Sequence, residues 1–132
     1  MNILGIDVGR TSGWYHAGEA GEIKYKSLLQ YYKEVSKLID KYNPVFVVSA
    51  RPTRMYNVIV AQTKLLAIVE LVCEERGIEN NLKIIDSSCK KQVLGNGRAS
   101  KGDIMFWAKL ESEHAADAML FVEYYKIKNN IT

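Results

Sequence analysis

The strongest constraint on the fold is an apolar stretch near the start of the chain that ends in a carboxylate. Residues 3–7 read ILGID, and an apolar run of this kind is typical of a strand buried on both faces of a sheet. Such a strand needs packing layers on both sides. Asp7 then leaves the core at the carboxyl end of a central strand, the edge where ligands gather in open α/β sheets.

The remaining segments alternate between strand and helix patterns. Residues 13–18 and 21–28 predict two strands joined by a turn at 18–21, and 45–48 and 82–86 predict two more strands. Helical spacing follows at 29–43, 55–77, 88–94, 101–109 and 112–126. The first helix is predicted to bury one stripe: Leu29, Tyr32, Val35, Leu38 and Ile39. This order predicts an α/β protein with a five-stranded mixed sheet, three antiparallel strands followed by parallel strands, which is the layout of the ribonuclease H-like fold.

Composition places the chain among ordinary globular proteins. It has 132 residues, 48% hydrophobic and 25% charged, which fits one domain over residues 1–132. We expect no membrane span, because no apolar run approaches about 20 residues, and no signal peptide. Cys73 and Cys89 have no zinc-ligand spacing, so we expect reduced thiols and a cytoplasmic location. The net charge of +3 permits a nucleic-acid partner without requiring one.

Asp7 is the first candidate functional residue. A carboxylate at a sheet edge is costly to desolvate unless it is paired, and a metal ion is one natural partner. The alternative is a loop aspartate that accepts backbone N–H bonds from the Gly9–Gly13 turn. Asp7, Gly9, Thr11 and Gly13 also resemble the phosphate loops of sugar kinases and actin-like ATPases, but those proteins are much longer.

A second signal lies in the segment EHAADAMLFVEYY, residues 113–125. His114 and Asp117 share a helical stripe with the apolar residues Ala118, Phe121 and Val122, so they point toward the core from the first turns of the helix. The small residues at 115 and 116 favour close approach to another backbone. The alternative reading is a first-turn acid favoured by the helix dipole and a surface histidine.

The third signal is a basic segment, CKKQVLGNGRASKGDI, at residues 89–104. Its Gly-Asn-Gly sequence predicts a turn between two helices. Cationic and hydroxyl side chains crowd this span and make a plausible phosphate-contacting surface: Lys90, Lys91, Arg98, Ser100 and Lys101. A solvated basic loop is the alternative.

Together, the blocks ILGIDVGRTSGW, KKQVLGNGRASKGDI and HAADAML resemble, in the same order, blocks of the RuvC-like Holliday junction resolvases. Val8 replaces the family's usual proline. The compact chain is most similar to a phage or viral member. The resemblance implies a homodimer that nicks two strands of a four-way DNA junction, with much of the dimer contact in the helix at 55–77.

The resemblance also implies a site. Asp7, His114 and Asp117 would hold two Mg²⁺ or Mn²⁺ ions, and such paired ions lie about 3.5–4 Å apart. The basic segment would touch phosphates, as would Arg51 and Arg54, in the loop before the long helix. Catalysis would then be in-line hydrolysis of a phosphodiester.

One family residue is missing. The family's second acid is a glutamate six residues after a proline, and counting from Pro44 places Ala50 there. Neither Ser49 nor Arg51 replaces a bridging carboxylate, so we expect this chain to be catalytically inactive. We favour a deliberate Glu→Ala change because the other site residues are intact. The alternative is a natural variant that binds junctions without cutting, or that recruits Asp86 or Glu113.

Two further functions remain open at this point. One is a branched-DNA-binding protein without catalysis. The other is an RNA-processing nuclease of the related RuvX type, which shares the Asp7 motif, although the Gly-Asn-Gly block is more similar to the resolvases.

Overall fold

A five-stranded mixed sheet forms the centre of the computed structural model, which describes residues 1–52, 56–86 and 88–131. Its strands lie in the order β3-β2-β1-β4-β5. The β1–β2 and β2–β3 pairs are antiparallel, whereas β1–β4 and β4–β5 are parallel. The strands are β1 (Ile3–Asp7), β2 (Thr11–His16), β3 (Glu19–Lys24), β4 (Phe46–Ala50) and β5 (Leu82–Ile85). The predicted mixed sheet is confirmed.

Helices cover both faces of this sheet. They are α1 (Leu28–Tyr42), α2 (Tyr56–Glu75), α3 (Cys89–Leu94), α4 (Lys101–Ala108) and α5 (Glu113–Lys128). The core on one face joins Leu4 and Ile6 to α1 and α2. The core on the other face joins Ile3, Val48 and Ile85 to the last three helices. The two-sided burial predicted for β1 is therefore confirmed.

The hairpin turn lies earlier in the chain than the sequence predicted. Ala17 and Gly18, with φ of 46° and 91°, connect β2 to β3, and Glu19 to Gly21 are strand residues. Paired left-handed residues match the twist of a two-residue hairpin. Gly21 is needed in the strand instead, because a Cβ there would lie 2.7 Å from the indole nitrogen of Trp14.

The buried face of α1 also differs from the prediction at its first turn. Val35, Leu38 and Ile39 are buried as expected, but Leu29 is 62% exposed and Tyr31 is fully buried in its place. The Tyr31 hydroxyl lies 2.7 Å from the buried Ser12 hydroxyl. A tyrosine satisfied by a polar partner is stable inside the core, and apolar spacing alone does not reveal such a partner.

Helix α5 lies directly on the backbone of β1 and β2. A Cβ at Gly13 would fall 2.0 Å from the His114 carbonyl oxygen, and one at Gly5 would fall 2.4 Å from that of Ala118. On the helix side, Ala115, Ala116 and Ala118 are at most 1% exposed. The close approach predicted from the paired alanines is thus confirmed, and its partner is the glycine-containing centre of the sheet.

Helix α2 is the least buried of the long helices. By length and composition alone, Tyr56–Glu75 is apolar enough to cross a membrane, which corrects the expectation that no segment qualifies. The same test is passed by helices that pack on protein, so it is weak support for a span. Only 22% of the apolar window is buried. Its outward face carries Tyr56, Val60 and Leu71, which are 79%, 42% and 46% exposed.

We predict that Gly13→Ala destabilises the protein severely. The new methyl group would overlap the helix backbone at His114, so α5 must move off the sheet. We expect a loss of roughly 2–4 kcal/mol in the free energy of unfolding, measured by urea denaturation.

Gly97→Ala is the matched control, because its Cβ would meet nothing closer than 3.8 Å. Equal losses in the two variants would contradict the packing described for α5.

Candidate active site

Two neighbouring parallel strands end at the candidate site. Gly5 of β1 is level with Val48 of β4, so Asp7 and Ala50, each two residues further on, end their strands at the same level. Because side chains alternate along a strand, both lie on the same face as Gly5, the face that α5 covers. Adjacent strands are about 4.8 Å apart. Ala50 therefore occupies the position next to Asp7.

The third contribution comes from the start of α5. Ser112 caps this helix by accepting a hydrogen bond from the backbone N–H of Ala115 at 3.0 Å. The Ser112 hydroxyl also donates to Glu22 on β3, at 2.5 Å. These bonds place the first turn of α5 at the carboxyl end of β1. His114 Nδ1 then lies 4.0 Å from a carboxylate oxygen of Asp7.

Asp7 and Asp117 form a pair of carboxyl groups that interact directly. Burial raises the pKa of Asp7 to about 7, and the nearby negative charge of Asp117 adds to the effect. A hydrogen-bonding interaction with the Asp117 carboxyl raises the pKa of Asp7 further. The pKa of Asp117 is also raised, mainly by burial, and the positive charges of Lys101 and Lys90 oppose that rise. The sequence interpretation of Asp7 and Asp117 as side chains of one site agrees with this placement.

Glu113 extends this charged group toward solvent. Its carboxylate lies 3.4 Å from His114 Nε2 and 3.7 Å from the Lys101 ammonium. Its charge contributes to the raised pKa values of Asp7 and Asp117. Of the two acids considered as replacements for the missing glutamate, Glu113 is thus electrostatically coupled to the carboxylate pair.

Asp86, the other possible replacement, is held by different partners. It lines the same cleft as Asp7 and Ala50, a space of about 760 Å³. Its carboxylate accepts hydrogen bonds from the Ser88 hydroxyl at 2.6 Å and the Ser88 backbone N–H at 3.0 Å. These bonds lower the pKa of Asp86. The Asp86 carboxylate is therefore already engaged in hydrogen bonds with Ser88 at the cleft wall.

The residues that line the cleft and that the sequence interpretation did not select include Gln62 and Cys89. The Gln62 amide donates to the Val8 carbonyl at 3.4 Å. A polar residue on the inward stripe of α2, between Ile59 and Leu66, was the available signal. Cys89 is buried and has no comparable signal, because it lies among apolar neighbours.

The predicted phosphate-contacting residues divide into two groups. Lys90 lines the cleft, and Lys101 lies beside Glu113, so both reach the carboxylate pair electrostatically. Lys91, Arg98 and Arg51 are exposed, and Arg51 also lines the cleft. Ser100 caps α4, since its hydroxyl accepts from the Asp103 N–H and its own N–H donates to Asp103. Arg54 lies outside the described residues.

The carboxylates at this site are of the type that binds a divalent cation, but there are too few of them to form a complete site. Adjacent carboxylates whose pKa values are raised carry negative charge that protein cations only partly compensate, and carboxylate oxygens are the preferred ligands of Mg²⁺ and Mn²⁺. In the described part of the chain, however, no three His, Cys, Asp or Glu side chains are grouped as a metal site requires. Position 50, beside Asp7, contributes only a methyl group.

Comparison with solved structures identifies the fold. Thermus thermophilus RuvC aligns over 98% of this chain and 97% of its own, with a TM-score of 0.76 and 16% identity. The same organism's RuvC in complex with a Holliday junction substrate gives 0.77 at 17% identity, covering 99% and 96% of the two chains. The yeast mitochondrial Holliday junction resolvase Ydc2 gives 0.61 at 13% identity, covering 98% and 82%.

These similarities establish a shared fold over the full length of the chain. The predicted ribonuclease H-like arrangement is thereby confirmed, and the structural neighbours agree with the resemblance of the sequence motifs to RuvC-like resolvases. No family model matches the sequence, and no curated protein sequence does. The similarity to RuvC is therefore visible in the backbone structure but not in a comparison of whole sequences.

We predict a stability gain for Asp7→Asn that grows with pH. The pKa of Asp7 rises on folding from 3.8 to about 7, so the stability that its neutral form contributes is fully present below pH about 4. That contribution is lost as pH rises through 7. Without divalent cations, the variant should exceed the parent by on the order of 2–4 kcal/mol at pH 8 and by much less at pH 5, measured by urea denaturation.

Asp40→Asn provides a control of opposite sign. The Arg76 guanidinium, 2.8 Å away, lowers the pKa of this exposed carboxyl, so its loss should cost more as pH rises. A pH-independent difference between Asp7→Asn and the parent would contradict the carboxylate pair described above.

Proposed function

We propose that this chain is a RuvC-like structure-specific endodeoxyribonuclease whose substrate is branched DNA, and that Ala50 renders it inactive. The observation that carries the proposal is the convergence of Asp7, Asp117 and position 50 on one face at the carboxyl edge of the sheet. The neighbours that share this fold include a Holliday junction resolvase and a RuvC bound to a Holliday junction substrate.

In the active form of the site, some residues of this chain would bind metal ions and others would position the DNA strand. Asp7, Asp117, His114 and an acid at position 50 would hold two Mg²⁺ or Mn²⁺ ions, which supply an activated water and neutralise charge on the phosphate. Lys90 and Lys101 hold the scissile strand near the carboxylates by their charge. Burial of Asp7 against α5 limits water around the carboxylate pair, which strengthens each electrostatic interaction there.

The chain with Ala50 retains DNA contacts while it lacks one ligand. Cationic side chains at the cleft and its rim depend on β5, α3 and α4, none of which requires a carboxylate at position 50. A non-cleaving branched-DNA-binding protein is therefore the second candidate, and the alanine itself favours it. A deliberate Glu→Ala change and a natural loss lead to the same molecule, and both are compatible with the remaining residues.

A homodimer is part of the proposal. The exposed apolar stripe of α2 contains Tyr56, Val60, Ala67 and Leu71, which fall on one side of the helix. Contiguous exposed apolar surfaces mark contact sites, and an apolar helix face can pack on its own copy across a two-fold axis. The small side chain at Ala67 permits close approach near the middle of the stripe.

We predict that Ala50→Glu creates Mg²⁺-dependent nicking of four-way junctions. The new carboxylate would lie beside Asp7 on the same face and complete the ligand set. Metal-bound charge stabilisation of several kcal/mol corresponds to a gain of roughly 100-fold or more in cleavage rate. Single-turnover cleavage of a labelled junction measures it.

Ala50→Gln is the matched control, because it adds the same bulk without the charge and should bind without cutting. Asp7→Asn introduced into the Ala50→Glu protein should abolish the gain. If the glutamate variant binds junctions but remains inert, the assignment of position 50 is wrong.

We predict that Leu71→Glu dissociates the dimer. A buried charge without a partner at an apolar interface is strongly unfavourable. Light scattering after gel filtration should give twice the chain mass of 15.0 kDa for the parent and 15.0 kDa for the variant. Leu29→Glu is the control, since Leu29 is 62% exposed and belongs to α1. A parent that is already monomeric would contradict the dimer.

A binding panel separates the candidate functions. The protein is titrated at fixed salt against a four-way junction, a flap, linear duplex DNA and structured RNA, because affinities compare only at one salt concentration. Preference for the four-way junction supports the resolvase assignment. Preference for structured RNA would favour the RuvX-type alternative and overturn it.

A further inference from the structure

A second groove opens beside the active-site edge, on the face of the sheet opposite α5. It has a volume of about 260 Å³ and lies between the end of β3, the start of α1 and the N-terminal half of α2. Its lining combines two cations with neutral residues: Arg10, Lys64, Tyr25, Asn57, Leu28 and Val60. This groove is separate from the cleft that contains Asp7 and Ala50.

The charge of the groove has one sign only. Arg10 and Lys64 are its charged residues, and the lining includes no acid. Among the ion pairs of the described residues, none involves either side chain. Two cations that face one groove without a carboxylate attract an anion.

The opposite flank of α2 carries the reverse charge. A groove of about 360 Å³ there is lined by Glu70, Glu74 and Glu79 together with apolar residues of β5 and α2. One helix thus separates a cationic groove, near the carboxyl end of β1, from an acidic groove near the edge strand. A polyanion is attracted to the first flank and repelled from the second.

Arg10 lies in a rigid bend of the backbone at residues 9–12. The Ser12 hydroxyl donates to the Gly9 carbonyl and accepts from the Gly9 N–H, both at 3.0 Å. The Tyr31 hydroxyl lies 2.7 Å from the same hydroxyl, and both side chains are fully buried. The Arg10 carbonyl in turn accepts from the Tyr25 N–H at 2.7 Å. The backbone at Arg10 is therefore fixed while its side chain remains exposed.

The bend also limits how far the groove lies from the site. Arg10 follows Asp7 by three residues, so their Cα atoms are at most about 11 Å apart. Successive phosphates along a DNA strand advance by about 3.4 Å. The Arg10 Cα atom thus lies from Asp7 at a distance that about three nucleotides of one strand span.

We infer that this groove binds the sugar-phosphate backbone of the same DNA strand, one to three nucleotides from the phosphate at the active site. The inference rests on the proposed function. Arg10 and Lys64 contact phosphate oxygens, the Asn57 amide and Tyr25 hydroxyl offer neutral hydrogen bonds, and Leu28 packs against a sugar. These contacts orient the strand and read no sequence.

The test compares two double variants with the same loss of charge. Arg10→Gln/Lys64→Gln removes the groove cations, and Lys33→Gln/Lys37→Gln removes two exposed cations from α1. Binding of a four-way junction and a linear duplex is measured by fluorescence anisotropy over a range of salt. Urea denaturation and gel filtration with light scattering verify the fold and the oligomeric state of both variants.

We expect the groove variant to reduce the slope of log Kd against log salt by about 1.4 to 1.8, which is about 0.7 to 0.9 for each lost phosphate contact. That change corresponds to roughly 25- to 60-fold weaker binding at 0.1 M salt. The α1 variant should keep the parent's slope. Neutral methylphosphonates placed one to three nucleotides from the crossover should weaken the parent and leave the groove variant unaffected.

Three results would overturn the inference. The groove variant binds with the parent's slope, both variants lose affinity equally, or the groove variant dissociates into monomers because a second copy occupies the groove. A parent that shows no preference for four-way junctions refutes the proposed function instead. In that case the salt dependence on linear duplex still decides whether the groove contacts phosphates.

Discussion

The candidate site depends on the contact between α5 and the backbone of the two central strands. Gly5 and Gly13 leave no Cβ atoms in the way, and the helix places the small side chains of Ala115, Ala116 and Ala118 against the sheet. Because α5 packs so closely on the sheet, its first turn reaches the carboxyl end of β1, and Asp117 lies beside Asp7. A helix held one side chain further from the sheet would place the same acids too far apart to interact.

The carboxylate pair is unfavourable for folding and is tolerated because the rest of the fold compensates for it. Burial and mutual repulsion raise the pKa values of both acids, and the lysines at 90 and 101 only partly oppose this. Titratable groups whose pKa values are perturbed in this way concentrate at functional sites. Two well-packed cores, one on each face of the sheet, supply the stability that the site removes.

The layout of the fold and the identity of its central acids were predictable from the sequence. Asp7 follows an apolar strand, and His114 and Asp117 share a stripe with core residues, so local patterns locate them. Tyr31 and the hairpin turn were mispredicted because each depends on a contact distant in sequence, with Ser12 in one case and between Trp14 and Gly21 in the other. The opposite charges on the two flanks of α2 were equally inaccessible, because helical spacing does not reveal which neighbours face each flank.

Asp7 and Asp117 are far apart along the chain, and this separation affects when the site forms during folding. Asp7 belongs to the first strand and Asp117 to the last helix, so the pair forms only when that helix docks on the sheet. Contacts between such distant segments form late, since the intervening chain must order first. A chain synthesised only as far as α4 already carries its lysines but has no partner for Asp7. The lysines of α3 and α4 are therefore synthesised before the carboxylate pair can form.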